Sequence, residues 1–391
     1  MIILLLTIVS FLIYLMIERA LVERRLKAIP LRISVTGIRG KTTVVRMVAA
    51  MLRASGQRVL AKTTGSEAKY ILPDGSEQEV RRRGMPTILE QKQLLKKAVQ
   101  LHATCIVAEI MSIHPENHFI ESQQLLRPNI VLLTNIRPDH IDAMGWTEDQ
   151  IASVLCLDLP RESKLFILAS ELRPPIVATC QRSAIELISI SDTGSKDRLT
   201  AELRHIPAPL LRHVALVSEL GRHIGIDEGT ILSGIQSASA DIGGLKIWKY
   251  RPVKSNHSYY FVNAFAANDP KSSLEILLWV REHLPASQHN WIGLLNLRGD
   301  RGDRTLQWID ALRNDPGFHF HQLFVIGSHT NVVKRRIPSI RILKANQPDA
   351  LTNALLAQIA APSVIFGCGN IAGLGRSLVN HWSQIGEAYE I

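Results

Sequence analysis

The stretch LRISVTGIRGKTTVV, residues 31–45, decides how the rest of the chain is read. LRISVT predicts a short strand and GIRG (37–40) a glycine turn. The following KTTVVRMVAAMLRASG carries apolar residues at 44, 45, 48, 51 and 52, one helical face, and predicts a helix that ends at Gly56. Strand, glycine turn and helix in that order are what a phosphate loop requires. Glycines let backbone N–H groups converge on an anion, and the helix start adds a favourable dipole. In such a loop Lys41 would reach the β- and γ-phosphates, and the Thr42 hydroxyl can ligate Mg²⁺. The general pattern also wants a glycine five residues before Gly40, where this chain has Val35, so the loop is a variant.

Outward from the loop, apolar runs with β-branched residues recur at 58–62, 104–108, 129–134 and 164–169, with helical patterns near 87–101 and 147–157. Strands alternating with helices predict a mostly parallel sheet covered on both faces. The stretch 70–86 breaks this rhythm with Pro73, Gly75, Gly84 and Pro86, and reads as a hairpin or loop carrying Arg81, Arg82 and Arg83. Small, flexible residues at 238–246 mark a domain boundary. Beyond it a second alternation runs through 258–265, 271–283, 290–297, 303–313, 320–327, 349–360, 363–367 and 370–385. The expected division is an amino-terminal segment 1–28, a P-loop ATP-binding domain 29–242, and a smaller carboxy-terminal α/β domain 243–391.

The whole chain has 391 residues and a net charge of +10, but the basicity is local. Residues 18–100 hold 18 Lys and Arg against 7 Asp and Glu, whereas the rest is balanced. A basic first third attracts phosphates, polycarboxylates or an anionic membrane face, and charge alone does not choose among them. With 46% hydrophobic and 20% charged residues, disorder and low complexity are excluded. Cys105, Cys156, Cys180 and Cys368 are scattered, which argues against both a disulfide framework and a metal-thiolate site.

Residues 1–17, MIILLLTIVSFLIYLMI, carry no charge, and the next ten contain Arg19, Arg24, Arg25 and Lys27. That order predicts a short transmembrane helix with a basic collar. A cleaved signal would place its positive charge before the apolar stretch, so this segment is expected to stay in the mature protein. The positive-inside rule puts the collar and everything after it in the cytoplasm, on a single-pass inner-membrane anchor. A buried helix of the soluble body is the competing reading.

Two more clusters end predicted strands. IVAEIMSIHPE (106–116) brings Glu109, and TNIRPDHID (134–142) brings Asn135, Asp139, His140 and Asp142. Open α/β sheets place their sites at such carboxyl ends. Separately, Glu109 is equally well a solvated strand-end carboxylate and His140 a hydrogen-bonded loop histidine; their coincidence with the phosphate loop points to Mg²⁺–ATP. Trp248 and Trp291 read as core.

The order GKTT, strand-end Glu, TNIxxDHxD resembles the ATP-binding domain of the Mur ligases and folylpolyglutamate synthetases. With the hydrophobic start, KTTGSEA (62–68), FVNAFAANDPKSS (261–273) and FGCGNIAG (366–373), the chain resembles the ATP-dependent ligase subunits of bacterial poly-γ-glutamate synthases over essentially its whole length. The resemblance implies an α/β fold with a Mur-ligase-like central P-loop domain and a smaller Rossmann-like domain. It implies an ADP-forming amide ligase in which a carboxylate attacks the γ-phosphate and an amine then displaces phosphate. The cofactors implied are ATP and Mg²⁺; the partners are glutamate, the growing poly-γ-glutamate chain and integral membrane subunits that export it. Self-association of this chain is compatible with the family pattern.

Carried over residue by residue, Gly37, Gly40, Lys41, Thr42 and Thr43 would hold phosphates, and Thr42 with Glu109 would hold one Mg²⁺. His140 would help place a second metal, and Asn135 and Asn268 would approach the nucleotide. Asp300, in RGDRGD (298–303), would face the ligation chemistry. The chain departs from the family in four places. The family's A-H-N-P becomes Ala266-Ala267-Asn268-Asp269-Pro270; Lys246 stands for a linker arginine; Leu155 stands where a modified lysine is common; and no amino-terminal substrate domain precedes the loop.

Arg81, Arg82 and Arg83, with Arg298, Arg301 and Arg304, are either grips for a polycarboxylate or solvated faces. Two further classes stay open on sequence. A membrane-anchored P-loop NTPase for transport or signalling would hydrolyse ATP without an amino acid. A nucleic-acid binder is not expected, because aromatics are only 5% and no aromatic-interleaved basic stripe is present.

Overall fold

The computed structural model describes residues 2–390 except 66–67, 83, 192–207, 239–243, 253–257, 287–288 and 361. The expected boundary at 242/243 and Arg83 therefore lie outside the described residues. The chain forms two compact units, the first reaching Ser239 and the second lying mainly in Ala240–Ile391.

The first unit is built on an eight-stranded sheet of order β4-β3-β2-β5-β1-β6-β7-β8. Its strands are β1 (Leu31–Thr36), β2 (Val59–Thr63), β3 (Lys69–Ile71), β4 (Glu77–Glu79), β5 (Cys105–Glu109), β6 (Ile130–Leu133), β7 (Lys164–Leu168) and β8 (Glu186–Ile190). From β2 to β8 along the sheet all neighbours are parallel. β3 and β4 add an antiparallel hairpin, which is how the Pro- and Gly-broken stretch at 70–86 resolves. β5 and β6 are buried along their whole length, as strands covered on both faces must be. β2 is too, although it contains Lys62, whose ammonium lies 3.0 Å from the Glu90 carboxylate. A buried charge persists only with such a partner.

Three helices of this unit bear on the site and its attachment: α1 (Ile2–Ala28), α2 (Lys41–Ala54) and α3 (Glu90–Gln100). α2 buries Val44, Val45, Val48, Met51 and Leu52, the face predicted from sequence. Gly56 takes φ 85° just beyond it, so the chain turns where a side chain would be strained. α1 is one continuous 27-residue helix through both the apolar stretch and the basic collar. It is long and apolar enough to cross a membrane, and its apolar half is exposed. The collar half is not a free tether. Val22 and Leu26 join the core with Leu94, Leu95 and Ala98 of α3, Glu18 pairs with Lys92 at 2.6 Å, and Glu23 pairs with Arg127 at 2.8 Å. Arg32 closes the helix end by donating to the carbonyl of Ile29.

The second unit carries a seven-stranded sheet of order β13-β12-β11-β14-β10-β9-β15. Its strands are β9 (Lys246–Tyr250), β10 (Tyr259–Asn263), β11 (Asn290–Leu297), β12 (Gln322–Gly327), β13 (Arg341–Ile342), β14 (Ser363–Gly369) and β15 (Glu387–Ala388). The core order β12-β11-β14-β10 is parallel, and β9 and β15 add antiparallel edges. Trp248 is core, as expected, and Trp291 is half-buried with the Arg281 guanidinium stacked over it.

Candidate active site

Strand register assembles the first site. β1 lies between β5 and β6, with Val35 opposite Glu109 and Thr36 opposite Leu133. The loop 37–40, Glu109 and the segment from Thr134 onward therefore leave adjacent strand tips, at the point where the chain switches direction across the sheet.

The loop needs its glycines. Gly37 has φ 111°, and a Cβ there would lie 2.4 Å from Thr134 Oγ1. Gly40 has φ 78°, and a Cβ there would lie 2.1 Å from the His213 ring. Asn135 braces the loop backbone in both directions: its Oδ1 accepts from the Arg39 amide at 3.0 Å, and its Nδ2 donates to the Arg39 carbonyl at 3.0 Å. The Asn135 side chain, expected at the nucleotide, is thus engaged with the loop. Lys41 starts α2 and donates from Nζ to the Gly37 carbonyl at 2.6 Å, which holds its ammonium over the loop. Burial lowers its pKa, and the nearby Glu109 carboxylate opposes that shift.

Thr42 and Glu109 meet as expected, with Thr42 Oγ1 donating to Glu109 Oε2 at 2.9 Å. The same oxygen accepts from the Thr64 amide at 2.7 Å. A Cβ on Gly65 would lie 2.4 Å from Thr42 Oγ1, so a glycine there leaves this hydroxyl room. A hydroxyl and a carboxylate oxygen, both hard donors beside a phosphate loop, fit a Mg²⁺ that takes its remaining ligands from phosphates and water. Among the described residues no three His, Cys, Asp or Glu converge as a metal cage. Thr43 sits half-buried in the same first turn of α2.

His140 takes a left-handed conformation, φ 45°, at the start of the short helix Ile141–Met144, and its amide donates to Asp139 Oδ1. Asp139 in turn lies 3.0 Å from the Arg39 guanidinium, which ties this segment to the phosphate loop. Glu171 anchors its start, accepting from the Ile136 amide and pairing with Arg137 at 2.7 Å. Asp142 is exposed. Leu155, where the resemblance places a modified lysine, is buried in an apolar cluster with Ile151 and Ile167 and offers no ligand.

The sequence reading missed a buried polar network beneath this site. Asp158 accepts from the Thr36 hydroxyl and lies 2.9 Å from His118 Nδ1. Glu121 accepts from the Ser112 amide, the Ser112 hydroxyl and Gln91 Nε2, and fixes the turn after β5. Burial holds the Glu121 carboxyl above its ordinary range. Burial also opposes charge on His118, but the Asp158 and Glu121 carboxylates outweigh it and raise its pKa. His118 and Glu121 come from Pro115–Phe119, which continues as a π-helical stretch to Leu126. Such wide turns often accompany functional sites. His213, from the helix Ala208–His223, was also missed; burial lowers its pKa to about 4, so it backs Gly40 as a neutral ring.

In the second unit, three asparagines meet at the carboxyl ends of β10, β11 and β14. Asn370 Nδ2 donates to Asn268 Oδ1 at 3.0 Å, and Asn296 Nδ2 donates to the carbonyls of Asn370 and Ala372. Asn268 holds φ 56°. Asp269, the extra residue of the A-A-N-D-P segment, caps the helix Pro270–His283 by accepting from the Ser272 amide at 2.9 Å. The insertion thus has a structural use. Asp300 is exposed and bound by Arg298 at 2.6 Å, and that bond lowers its pKa. Arg298 is exposed and Arg304 buried, so the three arginines of this loop do not form one solvated face. Arg82 of the first unit is bound to Glu90 at 2.8 Å, and Arg81 is exposed.

Comparison with known proteins bears on the family and the fold. Residues 35–204 match the Mur ligase middle domain, and residues 249–385 match the poly-gamma-glutamate synthase CapB C-terminal domain. The chain is 30% identical over 372 residues to the PGA synthase CapB of Bacillus subtilis (strain 168), covering 93% of each. It is 28% identical to the capsule biosynthesis protein CapB of Bacillus anthracis, covering 95% of this chain and 80% of that protein. Among solved structures, E. coli FolC in complex with ADP superposes with a TM-score of 0.67 at 15% identity, covering 96% of this chain and 97% of FolC. The Yersinia pestis bifunctional folylpolyglutamate synthase/dihydrofolate synthase complexed with AMPPNP and Mn gives 0.69 at 14%, covering 93% and 92%. These two likenesses establish the fold.

Proposed function

The chain belongs to the CapB poly-γ-glutamate synthase family of Mur-type ATP-dependent amide ligases, and from that membership we propose that it joins glutamate units into poly-γ-glutamate with release of ADP and phosphate. The observation that carries the reading is the Thr42–Glu109 pair held against a glycine loop and Lys41 at two adjacent strand tips. In the proposed reaction the terminal carboxylate of the acceptor attacks the γ-phosphate, giving an acyl phosphate. The amine of the incoming glutamate then attacks the acyl carbon, and phosphate leaves. Lys41 neutralises charge on the transferring phosphoryl group, and the loop amides fix its position; phosphoryl transfer asks little else of a protein.

Thr42 and Glu109 would hold a Mg²⁺, which supplies charge neutralisation at the β- and γ-phosphate oxygens when bound. His140, tied through Asp139 and Arg39 to the loop, is the candidate for a second ion. Asn268 and Asp300 are assigned to the nucleotide and ligation chemistry of the second unit. α1 is read as a single-pass inner-membrane anchor with a cytoplasmic catalytic body. One span cannot line a path for a charged polymer without leaving it facing hydrocarbon, so export requires integral membrane partners.

The test is phosphate release from ATP by membranes carrying the protein, with each amino acid supplied in turn. Release that requires glutamate or an oligoglutamate acceptor supports the ligase; equal release with no amino acid overturns it.

A further inference from the structure

The parallel course of α1 and α3 fixes which part of the catalytic unit meets the membrane. At one end Glu18 pairs with Lys92 at 2.6 Å; at the other the Leu31 amide donates to the Thr104 carbonyl at 3.4 Å. Residues 18 to 31 and 92 to 104 therefore run the same way, and the amino-terminal end of α3 points where the apolar half of α1 points. Lys92 is level with the first charged residue after the uncharged 1–17 stretch. One turn before it lies Leu89, 51% exposed, and the segment leading into it carries Met85, 88% exposed, and half-buried Ile88. Arg82, just before this segment, is bound through both Nε and Nη2 to Glu90, the first residue of α3, which brings the two ends of the segment together beside that helix end.

Length makes the contact closer. Seventeen residues at helical rise span about 25 Å, less than the roughly 30 Å hydrocarbon core. Burying them draws the rigidly docked collar, and the end of α3 with it, onto the bilayer surface. Arg19, next to the Glu18 that pairs with Lys92, and Arg81, next to the Arg82 that binds Glu90, are both exposed. A cationic rim around protruding apolar side chains suits an anionic headgroup layer.

We propose that residues 84–89, with Met85 and Leu89 as the apolar tips and Arg19 and Arg81 as the cationic rim, form a second membrane contact that inserts into the anionic lipid surface beside α1. This rests on the reading of α1 as a membrane span. The contact holds the phosphate-loop unit against the bilayer in one orientation.

All four native cysteines are buried, so an introduced thiol can be labelled selectively. The full chain carrying Met85→Cys, Leu12→Cys or Gln57→Cys is labelled with an environment-sensitive dye. It is then reconstituted in phosphatidylcholine vesicles with and without phosphatidylglycerol. Gln57 is the distant control: the Thr104 hydroxyl donates to its side chain at the far end of α3. A label at 85 is expected to shift to the blue and to be quenched by shallow spin-labelled lipid several-fold more than one at 57, more strongly with phosphatidylglycerol. If the label at 85 is as open to aqueous iodide as that at 57 while that at 12 is quenched by lipid, the contact is overturned and the anchor stands. A label at 12 that lipid does not quench overturns both. A shift at 85 seen only in native membranes overturns the lipid contact in favour of a protein partner.

Discussion

Both units bring candidate site side chains to the carboxyl ends of parallel strands, yet they do it with opposite materials. The first unit uses a lysine, a carboxylate and two glycines held at positive φ, all within a strand–turn–helix and its two neighbouring strands. The second uses amides: Asn268, Asn296 and Asn370 bond one another and the backbone, and its charged loop residue, Asp300, is bound to Arg298. A corner of neutral amides positions a ligand without competing for charge, whereas an ammonium beside a loop of N–H groups is built to receive a polyanion. On the proposed reading, the difference separates where charge is moved from where geometry is kept.

The strongest challenge to that contrast is Lys41→Ala. Removing one preorganised charge at a transferring phosphoryl group should cost about 10²–10³-fold or more in ATP turnover while leaving the circular dichroism unchanged. Turnover close to wild type would show that the loop's amides do the work alone. Asp158→Ala comes next. It orphans Thr36 Oγ1 and His118 under the loop, and breaking a buried pair of this kind costs about 3–5 kcal/mol. Differential scanning calorimetry should show a lower transition for the first unit and an unmoved one for the second. Asn370→Ala should be milder, at about 1–3 kcal/mol, because the Asn268 amide loses a neutral partner. Because Asn268 is proposed to approach the nucleotide, ATP turnover and the nucleotide affinity of the full chain should fall together; a loss of turnover at unchanged affinity would mean that the amide corner serves the ligation step alone.

These experiments bear unevenly on what the chain revealed beforehand. The loop, Glu109 and the strands around them were readable because each is a local pattern: a glycine turn between a strand and a helix, and a carboxylate ending an apolar run. The strand alternation of the second unit was readable for the same reason. Asp158, His118, Glu121 and His213 were not, since each is an ordinary polar residue until the fold brings it under the loop. His118 and Asp158 are 40 residues apart in the chain. Asn135 stood out as a polar group ending a strand, but TN after a strand does not tell that its side chain also bonds the Arg39 backbone. The apolar start of α1 was plain, while its docking depended on Glu18 and Glu23, which look like interruptions of a basic collar until Lys92 and Arg127 face them.

The smallest expected effect separates the units by pH. Glu77, on the hairpin of the first unit, is bound by Arg46 of α2 and by Lys69, the latter at 2.9 Å. The Arg46 hydrogen bond is the main reason its carboxyl falls from an ordinary 4.5 to about 2. A carboxyl depressed on folding contributes stability that is present above its unfolded pKa and lost as pH falls through the folded one. Glu77→Gln should therefore destabilise the first unit near pH 7, and the gap to wild type should close between about pH 4.5 and 2. Because the group is largely exposed, solvent screening cuts the effect to about 1 kcal/mol. Urea midpoints at pH 7 and at pH 3 read the gap, and added salt should narrow it at pH 7. A gap that stays constant from pH 7 to 2 would mean that the glutamine disturbs the hairpin by shape, with no contribution from the charge it removes.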